Sequence, residues 1–357
     1  MLEPAKLAKL KEEISSAKNI TQLRGLRDRF QQSTRHIEQT NGEYDIERWI
    51  AQINDVHDAL IRKTVALAEL TMVGEGLGPP PTSYSYVLLG SGGRSEQTLA
   101  SDQDSALIYE DTLDSEEVKE YYINFAHRVV DMLKQLGYPP CDGKVQSNEL
   151  MWCQSVLEWK SKLENWFTAA TWEAIRYLLI FADGRSIAGN DLLFNTIRDY
   201  YRLGLVRHAT IMERMIENTV QHRMLVGIFG QLITDRYGAH VGSIDIKYGA
   251  YLPIVNSIRW LALRNDISST STLNRMEHLV IKEVISVHEY DQYRAAFLQM
   301  QSLRLRAGHR SEAGYYEGNS KLNPKRLDPD EIRDLKKNLK IGKDIQKYVS
   351  RGLGRIK

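Results

Sequence analysis

The sequence reads as an α+β protein, mostly α overall, in which a small sheet is flanked by N-terminal and C-terminal helical regions. Three observations carry this reading. Apolar residues recur at three- and four-residue spacing over residues 1 to 72, and the chain is again helical in pattern from Asp191 almost to its end. Between these regions, two short apolar runs, Tyr86–Leu89 and Ala106–Tyr109, have the length of buried strands. The segment Gly74–Pro81 (Gly-Glu-Gly-Leu-Gly-Pro-Pro-Pro) separates the first helices from these runs, because proline cannot continue a helix and glycine frees the backbone. The expected division is a helical domain over 1–75, a sheet-bearing domain over 76–190 and a second helical domain over 191–357.

In the first region, Leu7, Leu10 and Ile14, then Leu23, Leu26 and Phe30, form apolar stripes with charges between them. Asn41-Gly42 interrupts the pattern. Ile46, Ile50, Ile53, Val56, Leu60 and Val65 make the next stripe, and His57-Asp58 reads as a solvated face of that helix. The 357 residues have room for two or three cores. A net charge of +1 lacks the basic excess of a nucleic-acid binder and argues against a nucleic-acid acceptor. The N-terminus has no signal-peptide apolar core, and no run approaches the ~20 apolar residues a spanning helix needs. Cys141 and Cys153 make neither a disulfide framework nor a zinc pattern. A cytoplasmic protein without a membrane partner is expected.

The chemistry concentrates between the two strands. Tyr86–Leu89 runs into Gly90-Ser91-Gly92-Gly93, a turn that tolerates positive φ and lets a ligand approach the backbone. Asp102 and Asp104 stand just ahead of the second run, where a period of two puts both carboxylates on one face. Two adjacent carboxylates repel unless a cation lies between them, and hard oxygen ligands suit Mg²⁺, with Mn²⁺ as the alternative. Each half is commonplace alone. Together, Gly-Ser, ten intervening residues and Asp-x-Asp entering a strand describe one nucleoside-triphosphate site.

That order resembles the signature of the DNA polymerase β nucleotidyltransferase superfamily. Gly90-Ser91-Gly92-Gly93-Arg94-Ser95-Glu96 is similar to the Gly-Ser-x-Gly-Arg-x-Glu of the uridylyltransferase that modifies the nitrogen regulator PII. Gly90–Tyr109 resembles still more closely the nucleotidyltransferase family catalogued as a domain of unknown function, often fused to CBS and cyclic-nucleotide-binding domains. The resemblance implies a polymerase-β-like sheet and transfer of a nucleoside monophosphate from an NTP to an acceptor hydroxyl. It implies Mg²⁺ on Asp102 and Asp104, phosphates held by Gly90 to Gly93 with the Ser91 hydroxyl, and Arg94 against the leaving pyrophosphate. The implied acceptor is a side chain of a regulatory protein. No CBS or cyclic-nucleotide-binding pattern is read in these residues, so input is expected through the N-terminal helices or a separate partner. Two rival readings are an NTP-binding sensor without transfer and a helical scaffold with a vestigial site.

The rest follows in order. Ser115–Leu136 predicts a helix with a stripe through Val118, Tyr122, Phe125, Val129 and Leu133, ended by Gly137. Cys141–Val145 is expected as a third strand. Superfamily members often place a third carboxylate here, which makes Asp142 a candidate catalytic base, while Asp-Gly is equally a turn pair. Trp152, Trp159 and Trp166, seven apart, predict one packed helix face. After the apolar Tyr177–Phe181, Arg185 falls in an Arg-x-x-x-Gly element similar to one in the uridylyltransferase; it reaches the triphosphate or pairs with Asp183. Asp245-x-Lys247 resembles the Asp-x-Lys of PII-modifying enzymes, without their following glycine pair, and puts Lys247 over the phosphates. His309–Pro324 reads as a mobile polar loop, and Lys336, Lys337, Lys340, Lys343 and Lys347 as the solvated face of the last helix.

Overall fold

The computed structural model describes residues 2–34, 43–208, 210–220, 222, 224–227, 231–235, 237, 240–306, 308–310, 314–318 and 320–351. Asn41 and Gly42 lie outside these residues. To either side stand the helices that the periodicity predicts: α1 (Pro4–Ser16), α2 (Ile20–Ser33) and α3 (Glu43–Gly74). α2 starts at Asn19, whose side chain accepts the Gln22 N–H and so satisfies one unpaired donor of the first turn. Leu10, Ile14, Leu23, Leu26 and Phe30 are buried, as are Ile53, Val56, Leu60 and Val65 of α3.

The central part runs β1 (Tyr84–Leu88), a single helical turn α4 (Gly90–Gly93), β2 (Ser105–Tyr109), α5 (Ser115–Gln135), β3 (Cys153–Ser155), α6 (Val156–Ala169), α7 (Trp172–Phe181) and β4 (Arg185–Gly189). The strands order as β3-β2-β1-β4. β1 is antiparallel to both β2 and β4, and β2 is parallel to β3. Every residue of β1 and β2 is buried, which is why both read as unbroken apolar runs rather than alternating ones.

Three expectations change here. Cys141–Val145 is not a strand: the Lys144 N–H donates to the Cys141 carbonyl and Lys144 takes φ +53°, closing a turn around Asp142-Gly143. The third strand is Cys153–Ser155 instead. Trp152 precedes β3 rather than riding on α6, yet its ring still packs on Trp159 and Trp166 with centroids 5.9 and 5.8 Å away. β4 was not foreseen, because only Ile187 of its five residues is buried and no apolar run announces it.

The remaining chain forms α8 (Asp191–Arg207), α9 (Ile211–Thr219), β5 (Ile244–Asp245), a wide π-helical turn (Lys247–Tyr251), α10 (Leu252–Arg264), α11 (Thr272–Ile281), α12 (Val287–Arg306), β6 (Gly308–Arg310), β7 (Tyr316–Gly318), β8 (Lys321–Leu322) and α13 (Pro329–Arg351). The region expected to be all helix carries two small antiparallel ladders, β5 with β8 and β6 with β7, and these take up described parts of the 309–324 segment. Lys336, Lys337, Lys340 and Lys347 of α13 are exposed, while Lys343 is half-buried and donates to the Val226 carbonyl. Among the described residues, no helix is long and apolar enough to cross a membrane. The chain is mostly α with α+β character.

The His57-Asp58 face of α3 is not solvated. α3 packs against α1, α5, α12 and β4, so the face that an isolated helix would show to water is covered by the sheet and its loops. His57 is buried with Nδ1 2.6 Å from the Tyr138 hydroxyl and Nε2 3.1 Å from the Thr98 carbonyl. Burial, then the nearby Arg27 guanidinium, lower its pKa from 6.5 to about 3. The unfolded chain therefore binds more protons between these values. The His57 contribution is complete above pH 6.5 and is lost as pH falls toward about 3. Thermal midpoints measured across this window are expected to fall on acidification, and His57→Gln is expected to flatten the slope; parallel curves for the two proteins would refute the assignment.

Candidate active site

The site grows from the end of β1. The Leu89 N–H donates to the Asp104 carbonyl at 2.9 Å, which clamps the glycine turn to the aspartate segment. Gly90 has φ +52°, and a Cβ there would lie 2.1 Å from Asp104 Oδ2. A Cβ on Gly93 would lie 1.9 Å from the Asp183 carbonyl, whereas one on Gly92 would find ordinary contacts no closer than 3.4 Å. Gly90 and Gly93 are thus set by close approach. The Gly93 N–H is taken up by the Leu89 carbonyl at 2.9 Å. Gly90 and Ser91 line an open cleft of about 420 Å³, and Gly92 and Gly93 are buried.

Asp102 and Asp104, two residues apart ahead of β2, present carboxylates that fall with Cys141 Sγ inside one group whose atoms lie within 4.8 Å of each other. The thiol donates to Asp104 Oδ1 at 3.1 Å. Burial, then the neighbouring Asp102 carboxylate, push the Asp104 pKa up; the Cys141 bond, Lys247 and Arg94 oppose this without outweighing it. Burial and Asp104 push the Cys141 thiol up to about 12, so it is protonated and acts as a donor. The site thus holds more carboxylate charge than its surroundings offset. A hard divalent cation answers that imbalance, and the two carboxylates fit Mg²⁺ or Mn²⁺. The thiol steadies the Asp104 side chain. Asp142 is exposed on its turn and stands outside this group, where Cys141 takes the place expected of a third acid.

Lys247, at the start of the π turn, lines the same cleft and has no ion-pair partner among the described residues. Asp245 pairs with Lys321 at 3.0 Å and accepts the Tyr248 N–H at 2.9 Å, which ties β5 to the π turn.

The two arginines behave differently from expectation. Arg94 lines the cleft, but it is 3% exposed and its guanidinium also bonds to protein groups: Glu96 at 2.7 Å, Asp183 at 2.6 Å and the Tyr251 hydroxyl at 3.1 Å. Arg185 makes a two-pronged pair with Asp58 at 2.8 and 2.9 Å and donates to the Gly92 carbonyl at 2.9 Å, away from the cleft lining. Asp183 is not its partner. Fully buried, Asp183 accepts from Arg94, from Arg259 at 3.0 and 2.7 Å, and from Arg275 at 2.8 Å. Burial pushes its pKa up, but Arg259, Arg94 and Arg275 together outweigh burial and hold it at about 2. Glu96 joins this cluster to α11 by accepting the Thr272 N–H at 2.7 Å, and it also accepts from the Tyr251 hydroxyl.

Sequence reading missed this cluster. Its readable signal was Arg259, a lone charge inside Pro253–Ala262, where every residue is buried. A charge so placed needs a buried counter-charge. Arg176 and Arg304 also line the cleft, the latter with its guanidinium 3.9 Å over the Tyr251 ring.

Residues 29–173 match the family model described as "Putative nucleotidyltransferase DUF294", and residues 209–353 match its companion, "Putative nucleotidyltransferase substrate binding domain". A comparison with curated proteins finds no match. The first match contains the glycine turn and both aspartates, and the second contains Lys247, Tyr251, Arg259 and Arg275, so the cleft is built from both. The chain belongs to the DUF294 nucleotidyltransferase family.

Proposed function

We propose that the chain transfers a nucleoside monophosphate from an NTP to an acceptor hydroxyl, with Mg²⁺ or Mn²⁺ held by Asp102 and Asp104. The observation that carries this reading is the convergence on one cleft of both carboxylates, Ser91 and Lys247, which has no ion-pair partner among the described residues. The Ser91 hydroxyl and N–H hold terminal phosphate oxygens, because the first N–H groups of a helical turn have no partner within it. Lys247 adds a point charge toward the phosphates. The acceptor hydroxyl gives up its proton to water and its oxygen bonds to the α-phosphorus as the bond to the α–β bridging oxygen breaks and pyrophosphate leaves. A divalent cation bound to the carboxylates supplies charge neutralisation at the phosphate oxygens. Arg94, which lines the cleft, braces the turn through Glu96 and Asp183 and places its positive charge toward the leaving pyrophosphate.

The acceptor in this reading is a tyrosine, serine or threonine of a regulatory protein in the cytoplasm. The family resemblance supports it, as does the net charge of +1, since an RNA-tailing enzyme needs a basic channel. Calorimetry with ATP, UTP, GTP and CTP tests the donor side. Tight binding of at least one nucleotide is expected with Mg²⁺ and not with a chelator. Failure of all four to bind with either Mg²⁺ or Mn²⁺ would sink the reading. Binding without label transfer from the α-phosphate to any protein would reduce the chain to a sensor.

A further inference from the structure

The walls of the cleft are not chemically uniform. The β1–β2 segment contributes charged and hydroxyl groups; α7, α10 and the π turn contribute the cations Arg176, Arg259 and Lys247, but also Leu179, Ile180 and Leu252 with two exposed aromatic rings, Trp172 (49% exposed) and Tyr248 (47%). Into this second wall project two amides. Asn256 of α10 is only 8% exposed, and its side chain has no hydrogen-bond partner among the described residues. Asn218 of α9 lines the same cleft, and its Nδ2 is buried without a partner. Buried polar side chains in folded proteins are almost always partnered. The unpartnered Asn256 amide on the cleft wall, with a second unsatisfied amide nitrogen just behind that wall at Asn218, marks the edge of something that binds there.

We infer that Asn256, assisted by Asn218, reads the base of the nucleotide and so decides which nucleoside triphosphate the cleft accepts. This rests on the transfer reading of the cleft. A phosphate only accepts hydrogen bonds, so it would leave the amide oxygen unmatched. A base edge presents a donor and an acceptor side by side, the complement of a side-chain amide. Its flat faces suit the apolar and aromatic wall beside the amides. Position agrees: Asn256 lies one helical turn from Leu252 and one from Arg259, hence between the apolar wall and the charged cluster around Asp183.

The test uses the full chain, Mg²⁺, and calorimetry with tripolyphosphate, the four NTPs and the matching deoxy-NTPs. The wild type is expected to bind one base better than the others and better than tripolyphosphate. Asn256→Leu should bind tripolyphosphate as the wild type does and lose about ten- to a hundredfold for the preferred NTP, the range of one two-bond amide–base contact. Because the Asn256 side chain has no hydrogen-bond partner among the described residues, this variant's thermal midpoint without nucleotide should equal or exceed that of the wild type. Asn218→Ala, at a half-buried position, provides a second, milder loss of base preference.

Asn256→Leu binding all four NTPs in the wild-type order would overturn the inference. So would a loss confined to ribose over deoxyribose. A wild type that binds tripolyphosphate and every NTP alike would overturn it while leaving the transfer reading in place; a wild type that binds neither would remove both.

Discussion

Asp104→Asn is expected to slow nucleotidyl transfer on the order of 10³-fold or more, the scale of losing a metal-holding charge at the reacting phosphate. The substitution keeps the size of the side chain. The close fit against Gly90 and the approach of Cys141 can therefore both persist, and the loss would come from charge alone. A second readout separates this from misfolding. Without metal, the variant relieves the repulsion between Asp104 and Asp102, so its thermal midpoint should match or exceed that of the wild type. A rise in midpoint with Mg²⁺ is expected of the wild type, from binding only the folded state, and it should be absent in the variant. Near-normal transfer of an α-labelled nucleotide by Asp104→Asn would remove the metal assignment.

The largest effect on stability is expected at Asp183. Asn at this position keeps the shape but leaves Arg94, Arg259 and Arg275 clustered, with Glu96 as their one remaining ion-pair partner among the described residues. Breaking a buried ion cluster by removing one partner costs about 3–5 kcal/mol, because the remaining charges stay buried without compensation. Denaturant midpoints should show this directly, and a loss below about 1 kcal/mol would mean that the cluster is solvated in practice. The pH dependence has a definite sign. Asp183 is held at about 2 against an ordinary 3.8, so its contribution is complete above about pH 4 and is lost as pH falls through about 2. Asp183→Asn should lack that component of acid unfolding.

The part of the site legible in the sequence was the part set by short-range rules. Gly90 and the Asp102–Asp104 pair could be placed because a turn and a period of two act over a few residues. The side-chain partners of the charges could not. Arg94 and Arg185 both announce that they need anions; Glu96, two positions on, supplies one for Arg94, but the neighbouring residues do not name the others. Arg185 meets Asp58, 127 positions away, and Arg94 meets Asp183, 89 positions away. Those pairings depend on which helix covers the turn, and that is decided by apolar packing. The same reason accounts for His57: its stripe was readable, but the layer covering its other face was not. β4 escaped notice because an edge strand with one buried residue carries no periodic signal.

β4 has a further bearing on how the chain can be divided. The first family match ends at residue 173, before both Asp183 and β4. A fragment cut at that point would leave β1 as an open sheet edge, a template for association with other chains. It would also leave Arg94 with Glu96 but without Asp183. The stretch that the first family model matches is therefore smaller than the stretch that completes the sheet. The sheet takes its last strand from the interval between the two matches, so that interval has to be inherited and expressed with them.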